Sequence, residues 1–135
     1  MTITLKKSED RNYRQTTHVN QHTLYADVGA SLGGQDSAPE PHDYYDSALA
    51  ACKAITLMIY AGKNDIPLTS VDVTLEHDNS EEENGLYVIN LYLKLNGDLT
   101  REQRQELMVV ADKCPLHKLM TMAKTEINTV VEASN

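Results

Sequence analysis

The segment EPHDYYDSALAACKAITLMIYAG, residues 40–62, decides how this chain folds. Pro41 suits the first turn of a helix because that position needs no backbone N–H donor, and Gly62 is a typical helix stop. Between them, residues 48–60 are apolar on almost every side. A helix of this kind is buried over most of its surface. We therefore expect one long helix from Pro41 to Gly62 at the centre of the fold.

The rest of the chain shows mainly strand patterns. Six segments carry the apolar or alternating pattern of strands: residues 3–5, 13–19, 22–28, 68–77, 86–95 and 126–131. Residues 100–113 predict a second helix, since Thr100 and Gln103 have the spacing of a capping box. The order of elements predicts a single α+β domain over residues 1–135, with an antiparallel sheet packed on the buried central helix.

Charge and length exclude several classes of partner. The net charge is −8 and no basic cluster is longer than Lys6-Lys7, so a nucleic-acid partner is not expected. No apolar run approaches the roughly 18 residues of a membrane span, and the N-terminus lacks the apolar run of a signal peptide. We expect a cytoplasmic protein with no membrane partner. It should form a homodimer, because a subunit of 135 residues cannot easily cover the apolar central helix.

The chain has two cysteines, and each has a different local context. Cys114 precedes Pro115, which ends one helix and places Cys114 at the N-cap of the next, where a thiolate is stabilised. It is either a reactive thiol or a small capping residue. Cys52 lies among apolar residues and is an inert packing residue unless a cation lies nearby. A metal site formed with His117 and His42 is a further alternative. The other histidines are expected at the surface: His18, His22 and His77.

Two motifs resemble those of a known family. Residues 40–52, EPHDYYDSALAAC, resemble the Pro-x-Glu-Leu-Leu-x-Ala-Ala-x-x-Ala-Cys segment of the osmotically inducible protein C and organic hydroperoxide resistance (OsmC/Ohr) family. Residues 114–118, CPLHK, resemble its second motif, and the cysteine separation (114 − 52 = 62 residues) also fits. The resemblance implies an OsmC-like intertwined homodimer with two sites at the subunit interface. It also implies a cysteine-based peroxidase activity toward organic hydroperoxides that needs no metal or other cofactor.

The resemblance also implies roles for the two thiols. Cys52 would be the peroxidatic thiol, which attacks the peroxide and becomes a sulfenic acid. Cys114 would be the resolving thiol, which condenses with that sulfenic acid to a disulfide. An external dithiol would then be the partner that reduces the disulfide.

The activating residues depart from the family pattern. Family members pair an arginine with a glutamate near the peroxidatic cysteine, but this chain has no arginine between Arg14 and Arg101. Arg11 is favoured over Arg14 as the activating cation, and the glutamate position falls on Asp43 or His42. The alternative role of each arginine is a solvated charge at a strand end, and the alternative role of Asp43 is an acid at a helix start. The missing glutamate also supports an alternative function, in which the chain is an OsmC-like stress protein that binds a small molecule and has weak or no peroxidase activity.

Overall fold

The computed structural model describes residues 1–133 and confirms the α+β class. Its strands are β1 (Ile3–Lys7), β2 (Gln15–Val19), β3 (His22–Ala26), β4 (Leu68–Asp78) and β5 (Val88–Gly97). Its α-helices are α1 (Pro41–Lys63), α2 (Arg101–Ala111) and α3 (Pro115–Thr121). No helix within residues 1–133 is long and apolar enough to cross a membrane.

The predicted strand over residues 126–131 is wrong, since this segment forms no regular structure. Its side chains Ile127, Val130 and Val131 are at least 80% exposed. A strand needs a neighbouring strand to satisfy its backbone groups and to pack its side chains. The alternating pattern of this segment does not supply such a partner within one chain.

The first three strands form an antiparallel sheet in the order β1-β2-β3. Val19 pairs with Ile3 on one side and with His22 on the other. The two-residue turn between β2 and β3 places Asn20 at a φ of 54°, a conformation that asparagine tolerates in hairpin turns. Strands β2 and β3 therefore form a tight hairpin.

Helix α1 begins at Pro41 and ends one residue beyond the predicted Gly62. Its buried residues recur about every fourth position, which is one stripe of a helix: Asp46, Leu49, Lys53, Leu57 and Ala61. Ile55 and Ile59, in contrast, are 58% and 54% exposed. One chain thus buries a single stripe of α1 and leaves much of its apolar surface open.

The chain divides into two compact units. The first unit contains residues 1–48 and 75–90, and the second unit contains residues 49–74 and the chain from residue 91 onward. The core of the second unit includes Leu57 of α1 together with Leu107, Val110 and Ala111 of α2. These three α2 residues recur at helical spacing and form the buried face of that helix.

Helix α2 starts where the sequence predicts. The Thr100 hydroxyl accepts a hydrogen bond from the Gln103 backbone N–H at 3.1 Å, and the Gln103 side chain accepts one from the Thr100 N–H at 2.9 Å. This reciprocal capping box satisfies two backbone donors at the helix start. It fixes the position of α2, whose C-terminal end borders the candidate active site.

Candidate active site

Cys114 is the N-cap residue of α3, as predicted from the proline that follows it. Its backbone is extended (φ −65°, ψ 145°), and Pro115 occupies the first helical position. The Cys114 sulfur accepts a hydrogen bond from the His117 backbone N–H at 3.4 Å. The residue is fully buried. The helix start thus directs a backbone donor at a thiol that bulk water does not reach.

Cys52 lies in the middle of α1 and belongs to the same compact unit as Cys114. Both cysteines are free thiols, and Cys52 is only partly buried. Its sulfur lies 4.0 Å from the Thr56 hydroxyl. Cys52 is also one of the neighbouring groups that raise the pKa of the Cys114 thiol. The structure therefore brings together the two thiols that the sequence singles out.

Lys53, the residue after Cys52, is a charged group that sequence analysis misses. Its Nζ donates to the Ala111 carbonyl at 2.8 Å, to His117 Nδ1 at 2.9 Å and to Asp112 Oδ1 at 3.4 Å. The residue is only 2% exposed. A lysine inside an otherwise apolar helical segment is the signal that could have identified it, since such a side chain needs buried partners.

The charge state of Cys114 depends on opposing effects. Burial is the largest, and it raises the pKa of the Cys114 thiol above its usual value. The hydrogen bond from the His117 N–H and the charge of Lys53 both lower this pKa, while the neighbouring Cys52 raises it. The net result is a raised pKa of Cys114. The His117 N–H and Lys53 oppose this rise, because both favour the thiolate form.

The hydrogen bond from Lys53 also determines which ring nitrogen of His117 acts as the acceptor. An ammonium group can only donate, so His117 Nδ1 must accept, and a neutral ring then carries its proton on Nε2. Asp112 Oδ1 lies 3.9 Å from the same Nδ1 atom. Within residues 1–133, no group of three or more His, Cys, Asp or Glu side chains is arranged to hold a metal ion.

The two N-terminal arginines belong to the first unit. Arg14 donates through Nε to the Ser8 hydroxyl at 3.1 Å, and its guanidinium carbon lies 4.7 Å from the centre of the Tyr25 ring. Arg11 is partly buried, and its backbone carbonyl accepts from Lys7 Nζ at 2.7 Å. The role of Arg11 toward Cys52 stays a prediction.

The two candidates for the acidic position lie in the first turn of α1. Asp43 Oδ2 accepts from the Glu40 backbone N–H at 2.9 Å, as an acid at a helix start does. His42 Nε2 instead lies 3.0 Å from a carboxylate oxygen of Glu82. The catalytic role of Asp43 stays a prediction, and its contact with Glu40 gives it a structural role in the single chain.

A second polar cluster lies in the first unit, and its three members are far apart in the sequence. The buried Asp46 carboxylate contacts His77 Nδ1 at 2.6 Å through one oxygen and accepts from the Tyr87 hydroxyl at 2.7 Å through the other. The hydrogen bond with Asp46 raises the pKa of His77. Burial, followed by the Asp46 hydrogen bond, raises the pKa of Tyr87. No local signal in the sequence links these residues.

A pocket of about 340 Å³ lies beside this cluster. It is lined by Pro41, His42, Tyr45, Glu82 and Tyr87. The rings of Tyr45 and Tyr87 meet edge to face, with their centres 6.0 Å apart. Mostly aromatic walls with a few polar groups are typical of sites that bind small organic molecules.

Several solved structures share the fold of this chain, whereas the comparison with curated protein sequences gives no significant match. An OsmC-like protein from Mycoplasma pneumoniae is 20% identical, with a TM-score of 0.71 over 90% of this chain and 86% of that one. The organic hydroperoxide resistance protein OsmC from Legionella pneumophila is 22% identical, with a TM-score of 0.65 over 90% of both chains. The organic hydroperoxide resistance protein OhrB of Bacillus subtilis is also 22% identical, with a TM-score of 0.59 over 90% and 92% of the two chains.

At these identities the structural likeness shows a shared fold. The sequence itself matches the family model described as OsmC-like protein over residues 34–130. This match covers more than half of the chain and includes both cysteines. The chain therefore belongs to the OsmC-like protein family.

Proposed function

We propose that this protein is a thiol-dependent peroxidase that reduces organic hydroperoxides through Cys52 and Cys114. The observation that carries the proposal is the pair of free thiols in one compact unit, where Cys52 is among the neighbours that raise the pKa of Cys114. Solved structures of the same fold include proteins named for organic hydroperoxide resistance. A buried cation and a directed backbone N–H beside this pair suit a reaction that requires thiolates.

The reaction needs both thiols in turn. The Cys52 thiolate attacks an oxygen of the peroxide, so that a sulfur–oxygen bond forms and the O–O bond breaks. The alkoxide takes up a proton and leaves as an alcohol, and Cys52 becomes a sulfenic acid. The Cys114 thiolate then attacks the Cys52 sulfur, which forms the disulfide and releases hydroxide that is protonated to water. An external dithiol returns two electrons and two protons to the pair.

Exposure supports this division of roles. Cys52 is partly exposed, whereas Cys114 is fully buried. A peroxide arriving from solvent therefore reaches Cys52 first. The buried Cys114 is shielded from direct oxidation and reacts only with a neighbouring sulfur. This favours Cys52 as the peroxidatic thiol and Cys114 as the resolving one.

We include a homodimer in this proposal. The large apolar side chains that one chain leaves exposed are numerous on α1, on α2 and in the C-terminal segment, which is unusual for a monomer: Ile55, Ile59, Met108, Val109, Ile127, Val130 and Val131. Burying this surface against a second copy would be favourable. In this proposal Arg11 activates Cys52. Asp43 precedes Cys52 by nine residues in α1, a rise of about 13 Å, so it serves the Cys52 of the partner subunit.

The test compares single-cysteine variants with cumene hydroperoxide as substrate. One equivalent of peroxide should remove both titratable thiols of the parent protein and form a Cys52–Cys114 disulfide within one chain. Cys52→Ser should abolish peroxide consumption. Cys114→Ser should react once and accumulate a sulfenic acid that a dimedone-type reagent traps. Equal residual activity in the two variants would show that the roles are wrongly assigned.

A second function is favoured by the pocket in the first unit. The protein would then be a stress protein that binds a small molecule and has weak or no peroxidase activity. Because Tyr45 and Tyr87 line the pocket and the chain has no tryptophan, tyrosine fluorescence would report binding there. A protein with both thiols intact that does not consume cumene hydroperoxide, but whose tyrosine fluorescence responds to small aromatic compounds, would favour this second function.

A further inference from the structure

Lys53 is a buried cation without a buried anionic partner. Its ammonium group donates to the Ala111 carbonyl and to His117 Nδ1, which are both neutral acceptors. The only carboxylate within reach of Nζ among the described residues is that of Asp112, at 3.4 Å. That side chain is 76% exposed, so water strongly screens its charge. A charge as deeply buried as Lys53 is costly unless a nearby group compensates it.

The contacts of Lys53 place it beside Cys114. One acceptor, Ala111, is three residues before Cys114, and the other, His117, is three residues after it. The His117 residue that accepts from Lys53 through its ring also donates its backbone N–H to the Cys114 sulfur. Lys53 thus joins the C-terminal end of α2 to the first turn of α3, on either side of the thiol.

A purely structural role would be to cap the C-terminal end of α2, where lysine side chains commonly bind the last carbonyls. Lysines in that role normally keep the ammonium group in water. Lys53 is instead almost completely buried and follows Cys52 directly in α1. The capping contact accounts for one of its hydrogen bonds and does not account for the burial of the charge beside two thiols.

We propose that Lys53 is a positioning residue that stabilises the Cys114 thiolate when it forms for the disulfide-forming step. This inference rests on the proposed function and adds a residue to it. The thiolate supplies the buried negative charge that Lys53 lacks, and Lys53 supplies the cation that a buried thiolate needs. When the thiolate attacks the Cys52 sulfenic acid, an S–S bond forms, an S–O bond breaks and the departing hydroxide takes up a proton to become water.

The charged and titratable groups that act on Cys114 or contact Lys53 come from three parts of the chain. Helix α1 contributes Cys52 and Lys53, the end of α2 contributes Asp112, and α3 contributes His117. Burial and Cys52 raise the pKa of Cys114, while the His117 N–H and Lys53 lower it. Lys53 is therefore the one positive side chain among the groups that act on this thiol within the described residues.

The first test measures the ionisation of Cys114 directly. In the Cys52→Ser background, the ultraviolet absorbance of the thiolate is followed against pH, with the protein lacking both cysteines as the baseline. Lys53→Met should shift the appearance of the thiolate to higher pH. Lys63→Met is the matched control, because Lys63 is an exposed lysine of the same helix, and it should leave the curve unchanged. Identical curves for Lys53→Met and the parent would overturn the inference.

The second test follows the reaction in the protein with both cysteines. After one equivalent of cumene hydroperoxide, sulfenic acid formation and disulfide formation are measured separately by stopped-flow mixing. Lys53→Met should leave sulfenic acid formation nearly intact and slow disulfide formation at neutral pH on the order of tenfold, the effect of one pKa unit. Raising the pH should restore the rate, and Lys53→Arg should restore part of it. A slow rate at every pH would indicate a purely structural role and contradict the inference.

A third measurement does not depend on the folding of a Lys53 variant. The lysines are labelled at the ε-carbon and followed by NMR against pH. In Cys52→Ser, the Lys53 resonance should change over the pH range in which Cys114 ionises. In Cys52→Ser/Cys114→Ser, this change should be absent. A Lys53 resonance with the same pH dependence in both proteins would refute the inference. If the parent protein forms no sulfenic acid, the proposed function fails, but this measurement and the thiolate titration still decide the role of Lys53.

Discussion

Replacing Asp46 by asparagine should destabilise the first unit, and the effect should depend on pH. Both carboxylate oxygens of Asp46 are used, one by His77 at 2.6 Å and the other by the Tyr87 hydroxyl at 2.7 Å. Asparagine keeps one acceptor oxygen and replaces the other with a donor, so one hydrogen bond to a charged group is lost. Such bonds contribute about 1.5–3 kcal/mol. We therefore expect the free energy of unfolding to fall by about 2 kcal/mol near pH 6.

The sign of the pH dependence follows from His77. Its pKa is raised in the folded protein, first by the hydrogen bond with Asp46. The stabilisation from protonated His77 is therefore fully present below its unfolded pKa of about 6.5, and it is lost as the pH rises through the higher folded value. The cost of Asp46→Asn should thus be larger at about pH 6 than at about pH 9.

Urea unfolding followed by circular dichroism at both pH values measures this cost. Protein concentration must be kept constant, because dimerisation would couple to unfolding. Asp98→Asn is the matched control, since Asp98 is exposed, and it should change the free energy of unfolding little at either pH. An equal cost of Asp46→Asn at the two pH values, or no cost at all, would refute the assignment of the raised His77 pKa to Asp46.

Three further predictions follow from the fold and the candidate site. Light scattering at micromolar concentration should give the mass of a dimer, and a monomer mass would contradict the role assigned to the exposed apolar surface. Leu107→Ala should lower the free energy of unfolding by about 2–5 kcal/mol in urea titrations, because Leu107 is fully buried in the core; a cost below about 1 kcal/mol would show that this core is loosely packed. In the Cys114→Ser background, Arg11→Ala should shift the alkylation of Cys52 to higher pH, Asp43→Ala should shift it less, and Arg14→Ala should shift it least. If both arginine variants keep the parent profile, neither arginine activates Cys52.

Local signals in the sequence predict the elements around the site. Pro41 and Gly62 mark the ends of the central helix to within one residue. Pro115 places Cys114 at a helix N-cap, and Thr100 with Gln103 forms the predicted capping box. These predictions succeed because each depends on groups only a few residues apart, whose geometry the backbone itself fixes.

The C-terminal segment shows the limit of such patterns. The alternation over residues 126–131 is typical of a strand, but no strand forms there. A helix satisfies its backbone internally, whereas a strand takes its hydrogen bonds from a neighbour. The pattern of one segment therefore cannot predict whether that neighbour is present.

Only the tertiary structure identifies the charged groups that act on the site. Lys53 looks like an interruption of an apolar helix until its contacts with Ala111 and His117, about 60 residues away, are seen. Asp46 and His77 likewise lie 31 residues apart and meet through folding alone. Side-chain charges act through space at distances of a few ångströms, and the sequence specifies such distances only for residues of the same helix or turn.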